Sequence, residues 1–520
     1  MKRLMALSLA VLLIFLCLAG CGQSNANRGS STEAPTANQS ADEPMVITWL
    51  ARNQFNYYNV KDTECQLYVE ERYNVKIDIV TTTDIGSAES INLYWASGNI
   101  PDVAVLNYDP HVKLAKQGLL RELKLDDLEK YAPDWMNTIY SFTDKDKVMM
   151  PQIMVDGKIY VLPWMDISSN QPFVMGARKD WMDNLGITAI PKTLDDLHDL
   201  LWAFTYDDPD GNKVNDTFGM HGGPNGFGYI TGAFGIYPNA YYLQDDGNVV
   251  YTTTTEQYKE LLKLLNSWFA EGIFDPEFAT DTRDIQRQKW ANGALGILVD
   301  HSWWFSPSLN VNVAKLLTDN DPDAEIVYLE PVEGPYGKFT YKYSVNTAGD
   351  GSYIFGKNCS DEKLYKILEI LNDIGRDVDL YCRLNYGIEG EDWEFDEIGM
   401  VTRLQELDLE DGINRGIMYF YPSARPYEIT TAHFLTPEDV KHYDPLYKFP
   451  TINMGSNFNS PVENDAFNTY SADITTAANE FYYSSIMGMN DIDADWDAFL
   501  KSLDGLGLQE ILKNYNEAMK

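Results

Sequence analysis

Residues 45–80 read MVITWLARNQFNYYNVKDTECQLYVEERYNVKIDIV and contain two short β-rich runs, Met45–Leu50 and Val75–Val80. The segment Asp62–Tyr73 between the two runs has the pattern of a helix. The alternation continues over residues 87–106, where a helix that stops at a glycine leads to a third strand. Strands and helices that alternate in this way predict a parallel α/β layer with right-handed crossovers.

Polar and aromatic side chains follow two of these predicted strands. Arg52 and Asn53 come directly after the first strand, and Asn107 and Tyr108 come after the third. Ligands of parallel α/β sheets bind beyond the carboxyl ends of the strands, where several such ends converge on one cleft. We therefore take these four residues as ligand-binding candidates, although each could equally satisfy nearby backbone groups.

Length and charge limit the classes of protein that this chain can belong to. A chain of 520 residues is too long for one ordinary core, so we expect two lobes. The net charge is −38, from 78 acidic against 40 basic residues, and such a surface repels nucleic acid. Aromatic residues make up 13% of the chain, which fits a large core or a cleft that stacks flat ligand faces.

The amino terminus predicts export and lipidation. Two basic residues precede an apolar run, Leu4–Leu16, that is short for a membrane span, and the sequence LAGC ends at Cys21. LAGC resembles the bacterial lipobox, so residues 1–20 are predicted to be a signal peptide and Cys21 to carry a membrane-anchoring lipid. An ordinary signal peptide with an incidental cysteine is the alternative. Residues 21–44 lack large apolar side chains and should form a flexible tether.

The other cysteines do not suggest a metal site. Once Cys21 is lipidated, the mature body holds Cys65, Cys359 and Cys382, whose spacing is unlike that of metal ligands. Because a core of this size needs no disulfide framework, we expect buried free thiols. A Cys359–Cys382 disulfide is the alternative.

An acidic loop at residues 208–217 has the spacing of the front of a calcium-binding EF-hand loop. The oxygen ligands at positions one, three, five, seven and nine would be Asp208, Asp210, Asn212, the carbonyl of Val214, and Asp216. Two positions depart from the pattern, since Lys213 replaces the usual glycine and Gly219 replaces the bidentate glutamate. The sequence predicts a structural calcium here, with an Asx-rich turn as the alternative.

Two adjacent tryptophans, Trp303 and Trp304, follow an apolar strand-like run at 294–299. An indole at the wall of a cleft stacks on the apolar face of a sugar ring, while polar neighbours bind the hydroxyls. Adjacent residues do not readily share one face, so one of the two could contact a ligand while the other packs in the core. A pair of core tryptophans is the alternative interpretation.

Six segments, in the same order along the chain, resemble family 1 extracellular solute-binding proteins. They are SGNIPDVAVLN (97–107), VDGKIYVLPW (155–164), ARKDWMDNLGITAIPKTLDDL (177–197), KWANGALGILVDHSWW (289–304), YGIEGEDWEF (386–395) and DWDAFLKSLDGLGLQEILKNYNEAM (495–519). The resemblance covers the body of the chain from about residue 45. It is greatest to the long lipoprotein branch that is similar to alginate-oligosaccharide-binding and LipO-type proteins.

This resemblance implies an α/β, two-lobed periplasmic-binding-protein fold (type II-like), with a hinge and a ligand cleft between the lobes. The first lobe would comprise residues 45–167 and about 346–398, and the second about 170–340 and 400–520. Crossovers are expected near 165–173, 338–345 and 399. The first crossover would bring Trp164 and Asp166 to the cleft, and some similar family members carry a structural calcium at the loop equivalent to 208–216.

The predicted function is the lipid-anchored, carbohydrate-binding component of an ABC importer, on the extracellular face of the bacterial cytoplasmic membrane. Such a protein is a monomer that performs no chemistry and delivers its ligand to a separate permease. The six histidines form no zinc-protease motif, and neither a nucleophile elbow nor a phosphate-binding loop is present. A secreted glycoside hydrolase remains an alternative, because its two carboxylates need no motif. A surface adhesin or sensor lipoprotein is another.

Overall fold

The structure, a computed structural model, describes most of the chain from Pro44 onward. The described residues are 44–51, 60–80, 94–105, 111–165, 171–223, 226–307, 312–343, 346–349, 351–405, 409–420, 424–458 and 464–519. The predicted signal peptide, tether and lipidation site at Cys21 lie outside these residues. So do the ligand-binding candidates Arg52, Asn53, Asn107, Tyr108 and Asp166.

The described segments form short strands and many helices. The strands are β1 Met45–Leu50, β2 Val75–Ile79, β3 Val103–Val105, β4 Met154–Val155, β5 Lys158–Ile159, β6 Val161–Leu162, β7 Phe173–Arg178, β8 Phe218–Met220, β9 Tyr241–Leu243, β10 Val249–Tyr251, β11 Leu295–His301, β12 Ile326–Leu329, β13 Thr340–Lys342, β14 Tyr353–Phe355, β15 Trp393–Phe395, β16 Val401–Arg403 and β17 Thr451–Asn453. The α-helices span Glu64–Tyr73, His111–Lys116, Leu125–Tyr131, Pro133–Phe142, Met150–Ile153, Lys179–Asn184, Leu194–Tyr206, Gly228–Ala233, Glu256–Ala270, Arg283–Ala291, Val313–Asn320, Asp361–Arg376, Val378–Asn385, Leu409–Arg415, Tyr427–His433, Pro437–Leu446, Asp465–Ile486, Ile492–Gly505 and Leu508–Ala518.

The first sheet contains the three strands predicted from residues 45–106. Its order is β2-β1-β3-β14-β6, and β1 runs parallel to both β2 and β3. Side chains of β2 alternate between buried and exposed, whereas β3 is buried throughout, as expected for a strand covered on both faces. The parallel arrangement is therefore confirmed. Strands β14 and β6 add an antiparallel edge that the sequence did not indicate.

The second sheet has the order β12-β7-β11-β8. Every residue of β7 and β11 is buried, because helices pack on both faces of this sheet. The helix Leu194–Tyr206 begins after Thr193, whose side chain accepts a hydrogen bond from the Asp196 amide in a capping box. The two larger sheets are thus separate, each covered by its own helices, and the described residues form four two-stranded sheets besides them.

Two large cores accompany the two sheets. One is formed by buried residues from 47–165 and 348–424, and the other by residues from 175–332 and 466–511. A smaller core on the second sheet includes Trp290, Leu298 and Phe305. Each large core therefore draws on two stretches that are distant in the sequence.

The stretch around residues 419–424 does not pack as the predicted lobe boundary near residue 400 implies. Tyr419, Phe420 and Ala424 belong to the first core, although that boundary assigns them to the second lobe. Phe420 makes an edge contact with Trp49 of β1 at 5.1 Å between ring centroids, and its carbonyl accepts a hydrogen bond from Tyr353 of β14. These buried aromatic contacts hold the stretch against the first sheet. The lobe boundaries as a whole remain a prediction.

The three cysteines of the body are free and buried, as expected. Burial raises the pKa of each thiol to about 12, so the thiols stay protonated and unreactive at neutral pH. Among the described residues, no helix is both long enough and apolar enough to cross a membrane.

A buried carboxylate closes the loop that follows Tyr386. The Asp392 side chain, 1% exposed, accepts hydrogen bonds from the Ile388 amide at 2.6 Å and from Arg415 at 2.7 Å. Arg415 also pairs with Glu64 at 3.1 Å, which connects this loop to the first helix of the chain. Asp392 belongs to the acidic group EGED (389–392), but its contacts are those of a structural residue rather than of a hydrolase carboxylate.

Asp392→Asn is expected to lower the free energy of unfolding by about 2 kcal/mol at neutral pH. Burial by itself raises the pKa of the Asp392 carboxyl, but hydrogen bonds from Arg415, the Ile388 amide and Gln405 outweigh it and lower the pKa to about 2. The stabilisation is therefore present above pH 4 and lost as the pH falls toward 2. Urea unfolding at several pH values measures this, with the exposed Glu394→Gln as control. If the difference in unfolding free energy between variant and wild type stayed constant from pH 4 down to pH 2, the low pKa of Asp392 would not be the source of the stabilisation.

Candidate ligand-binding cleft

A cavity of about 610 Å³ lies between the first large core and the smaller core on the second sheet. Trp164 and Tyr381 in its wall belong to the first core, whereas Trp304 packs against the smaller core on the second sheet. The volume is within the usual range for sites that enclose small ligands. The cavity is therefore placed where a protein with two lobes would bind its ligand.

Aromatic side chains dominate the wall of this cavity. They are Trp164, Trp303, Trp304, Tyr343, Tyr381, Tyr386, Tyr427 and Tyr447. Polar groups lie among them, namely Gln171, His301, Asn385, Arg403, Arg425 and Thr430. Apolar ring faces next to hydrogen-bonding groups suit a ligand that has both flat apolar surfaces and hydroxyls, as sugars do.

Three of the eight predicted ligand-binding residues line the cavity: Trp164, Trp303 and Trp304. The other five lie outside the described residues, so the predicted set as a whole stays a prediction. Sequence reasoning missed the aromatic and basic residues from positions 381 to 447. They carry no periodic or motif signal, and short helices, strand β16 and the loops between them bring them to the cavity.

Strand β11 positions the tryptophan pair. The strand ends at His301, which caps one turn of 3₁₀ helix, Ser302–Phe305. The ring nitrogen Nδ1 of His301 accepts a hydrogen bond from the Trp303 amide at 3.4 Å. Trp303 is 39% exposed, whereas Trp304 is half-buried with the Arg287 guanidinium 3.8 Å from its ring centroid. The two indoles thus lie in different environments, as expected for adjacent residues.

A fully buried carboxylate, Asp300, supports Trp304 through Arg287. Asp300 accepts a hydrogen bond from Arg287 Nε at 2.6 Å and one from the His301 amide at 2.7 Å. Arg287 lies flat on Trp304, so the chain of contacts runs from Asp300 through Arg287 to the cavity wall. The signal in the sequence is an aspartate directly after the apolar run LGILV, a position where a buried charge needs a partner.

Trp164 is held by the first core, on the side of the cavity opposite to Trp304. Its amide donates a hydrogen bond to the Thr347 carbonyl at 3.1 Å, and Trp135 Nε1 donates to the neighbouring Pro163 carbonyl at 2.6 Å. The Trp164 side chain is 9% exposed. It therefore presents only a small part of its ring to the cavity.

Asn385 and Gln171 place amide groups at the wall. Asn385 donates to the Tyr381 carbonyl at 2.8 Å, but its Oδ1 is buried without a hydrogen-bond partner among the described residues. Gln171 donates to the Tyr447 hydroxyl at 3.1 Å. A buried acceptor with no partner costs free energy, which a ligand hydroxyl could recover.

The loop at 208–216 has part of the predicted EF-hand geometry. Lys213 adopts the left-handed conformation, with φ of +66°, that the usual glycine supplies at this position. Its amide donates to Asp208 Oδ1 at 3.0 Å, and the Val214 amide donates to Asn212 Oδ1 at 2.6 Å. Asn212 also donates to Asp210 at 2.7 Å. Side-chain hydrogen bonds thus close the loop on itself.

Another acidic group, elsewhere in the second core, already has a cation. His221, Asp275 and Asp281 have ligand atoms within 4.8 Å of one another, and among the described residues they are the only such group of three. Lys289 Nζ lies 2.7 Å from Asp275 and 2.6 Å from Asp281. The lysine ammonium therefore supplies a counter-charge that both carboxylates share.

Comparison with known proteins identifies the class. The sequence model of the family described as "Bacterial extracellular solute-binding protein" matches residues 68–372, and the chain belongs to this family. Among curated proteins, the polygalacturonan/rhamnogalacturonan-binding protein YtcQ of Bacillus subtilis is 25% identical over 408 residues, which cover 77% of each chain. Lipoprotein LipO of the same organism is 26% identical over 427 residues, covering 78% of this chain and 76% of LipO.

Solved structures confirm the fold. The ABC-transporter substrate-binding protein FusA of Streptococcus pneumoniae, in complex with kestose, superposes with a TM-score of 0.64 at 20% identity, over 91% of this chain and 98% of FusA. An EF-hand mutant of FusA with fructo-nystose gives a TM-score of 0.62 over the same shares at 20% identity. The predicted two-lobed α/β fold of a solute-binding protein is therefore confirmed.

Proposed function

We propose that this protein is the binding component of an ABC importer and captures an oligosaccharide in the cavity between the first core and the smaller core on the second sheet. The aromatic wall carries this proposal, because Trp303, Trp304 and several tyrosines present ring faces beside hydrogen-bonding groups. Relatives described as oligosaccharide- or polysaccharide-binding proteins, YtcQ and FusA among them, support the same ligand class. A cavity of about 610 Å³ has room for more than one sugar ring.

Binding without catalysis is part of the proposal. Glycoside hydrolysis needs two carboxyl groups on either side of the scissile bond. The described residues that line the cavity include no Asp or Glu, which favours binding over hydrolysis. A ligand that contacts both halves of the cavity stabilises the closed state, and a separate permease would recognise that state.

The lipobox-like sequence at Cys21 supports a membrane-anchored protein on the outer face of the cytoplasmic membrane. A lipid at Cys21 would keep the binding body close to its permease, and the described wall of the cavity, which comes from one chain, suits a monomer. We therefore retain the predicted location and partners as part of the proposal.

Thermal denaturation with a panel of neutral and acidic oligosaccharides tests this function. A ligand present at a hundredfold excess over its Kd should stabilise the native state by about 2.7 kcal/mol, and the shift should grow with concentration. Chromatography of the recovered sugar should show it intact. Release of reducing ends, abolished by replacing one carboxylate, would instead identify a hydrolase.

We also propose a structural calcium in the loop at 208–216. The left-handed Lys213 backbone and the acidic side chains around Asn212 support it, as does the existence of an EF-hand mutant of FusA. The carboxylates and the Val214 carbonyl would provide the oxygen ligands that Ca²⁺ prefers. The hydrogen bonds within the loop are those that an Asx-rich turn would also make, so an experiment has to distinguish the two.

Free calcium is expected to raise the melting temperature of the wild type, and chelation to lower it, because the ion binds only the native state. Asp210→Ala should remove most of this dependence and leave the response to sugar unchanged. Asp246→Ala, in an exposed Asx turn of similar chemistry, serves as the matched control. A titration calorimetry experiment that detects no binding at millimolar calcium would reject the site and leave the transport function intact.

A further inference from the structure

We propose that the oligosaccharide is acidic, and that Arg403 and Arg425 bind its carboxylate groups. This inference rests on the proposed function, because it specifies the ligand of the same cavity. It also opposes the expectation from composition, since a net charge of −38 by itself disfavours a polyanionic ligand.

The two cavity arginines differ from the other arginines in their partners. Within the described part of the chain, neither Arg403 nor Arg425 forms an ion pair with an Asp or Glu, although acidic residues are abundant. Every other described arginine pairs with at least one carboxylate. The arginines without an acidic partner are thus the two that line the cavity.

Aromatic rings hold both guanidinium groups at the wall. Arg403 lies 4.3 Å from the Tyr386 ring centroid, while Arg425 lies 4.4 Å from that of Tyr381 and 3.7 Å from that of Phe434. The three rings contact one another, with the Tyr381 and Phe434 centroids 5.3 Å apart. Cation–π contacts orient a guanidinium but leave its N–H donors available to a ligand.

Arg425 has a donor that the described protein does not use. Its Nε donates to Thr430 Oγ1 at 3.1 Å, whereas its Nη1 is buried without a hydrogen-bond partner among the described residues. Leaving a charged donor buried and unbonded is costly. A carboxylate offers paired oxygens that match the guanidinium fork, whereas a neutral hydroxyl accepts only one bond and compensates no charge.

The charge of the wall agrees with this assignment. The described lining residues include two arginines and no acid, so the wall is positive inside a strongly acidic protein. Such an arrangement would attract and orient a uronic acid unit, while the neighbouring tyrosines stack on its ring. A neutral sugar would give neither cation a counter-charge.

Titration calorimetry on the full mature protein tests the inference. The probes are trigalacturonate, trimannuronate and sialyllactose, each compared with a neutral counterpart: methyl-esterified trigalacturonate, mannotriose and lactose. At least one acidic probe should bind about 10- to 100-fold more tightly than its counterpart, and added salt should weaken only the acidic one.

Arg403→Gln and Arg425→Gln should each weaken the acidic probe by about 10- to 100-fold and affect the neutral one little. Arg376→Gln removes the same charge from a surface arginine that is paired with Asp373, and should leave both affinities unchanged. Lysine at 403 or 425 keeps the charge without the fork and should give an intermediate affinity. Unchanged circular dichroism establishes that each variant is folded.

The outcomes separate this inference from the proposed function. If the neutral probes bind as tightly as the acidic ones, or if both arginine variants bind the acidic probe like the wild type, the inference is overturned and oligosaccharide binding stands. If no saccharide of the panel binds, the proposed function itself fails, and the inference fails with it.

Discussion

Replacing Trp304 with alanine is expected to weaken oligosaccharide binding about 30- to 100-fold, a loss of roughly 2–3 kcal/mol. The half-buried indole is held flat by Arg287 at 3.8 Å, so its orientation is fixed before a ligand arrives. A preorganised ring gives up little conformational entropy when a sugar stacks on it, and its removal takes away contact area that no neighbour replaces. Titration calorimetry with the best ligand of the panel measures the loss.

Trp202→Ala is the matched control for this experiment. Trp202 is also a partly exposed tryptophan, 42% accessible, but it packs on Tyr206 of a helix of the second core and does not line the cavity. Its removal should leave the affinity unchanged. Equal losses of affinity in the two variants would mean that removing any partly exposed tryptophan weakens binding. Unaltered binding by the Trp304 variant would show that this ring is not part of the site.

The second large effect is on stability. Asp300→Asn is expected to lower the free energy of unfolding by about 3–5 kcal/mol, because it leaves the Arg287 guanidinium without its buried counter-charge. Asp300 is completely buried, and Arg287 is itself 10% exposed in its side chain. Arg287 Nη2 is already buried without a hydrogen-bond partner among the described residues, so little else can compensate. Urea unfolding measures the change.

Asp284 provides an internal comparison. It pairs with the same guanidinium at 3.1 Å but is 83% exposed, so Asp284→Asn should cost less than about 1 kcal/mol. Since Arg287 supports Trp304, the Asp300 variant should also bind sugar more weakly at temperatures where it remains folded. If the two aspartate variants were equally stable, the buried pair would not be what holds this part of the wall.

Much of the fold could be predicted because it follows from local patterns. The alternation of β-rich runs and helices over 45–106 predicted parallel strands, and Thr193 predicted the start of a helix. The left-handed backbone at Lys213 followed from its position in the loop. In each case the spacing of a few neighbouring residues contained the information.

The parts of the fold and of the cavity that the sequence did not predict depend on contacts between residues distant in the sequence. Strands β6 and β14 are two and three residues long, too short to show a period, and their place in the first sheet is set by pairing with each other and with β3. Arg425 reaches the cavity wall because Tyr381 and Phe434 hold it there. Of the predicted residues that line the cavity, Trp164 was placed there by the fold-level resemblance, and Trp303 and Trp304 by their position after the apolar run 294–299.

The order of strands in the first sheet has a consequence for folding kinetics. Strand β14 lies between β3 and β6, yet all four strands of the second sheet come before it in the sequence. During synthesis, the first sheet cannot be completed until Tyr353–Phe355 has emerged, whereas every strand of the second is by then already available. Contacts between residues so far apart in the sequence slow folding. The amino-terminal sheet should therefore be finished after the one that follows it, and its unpaired β3 edge is the surface most exposed to aggregation in the meantime.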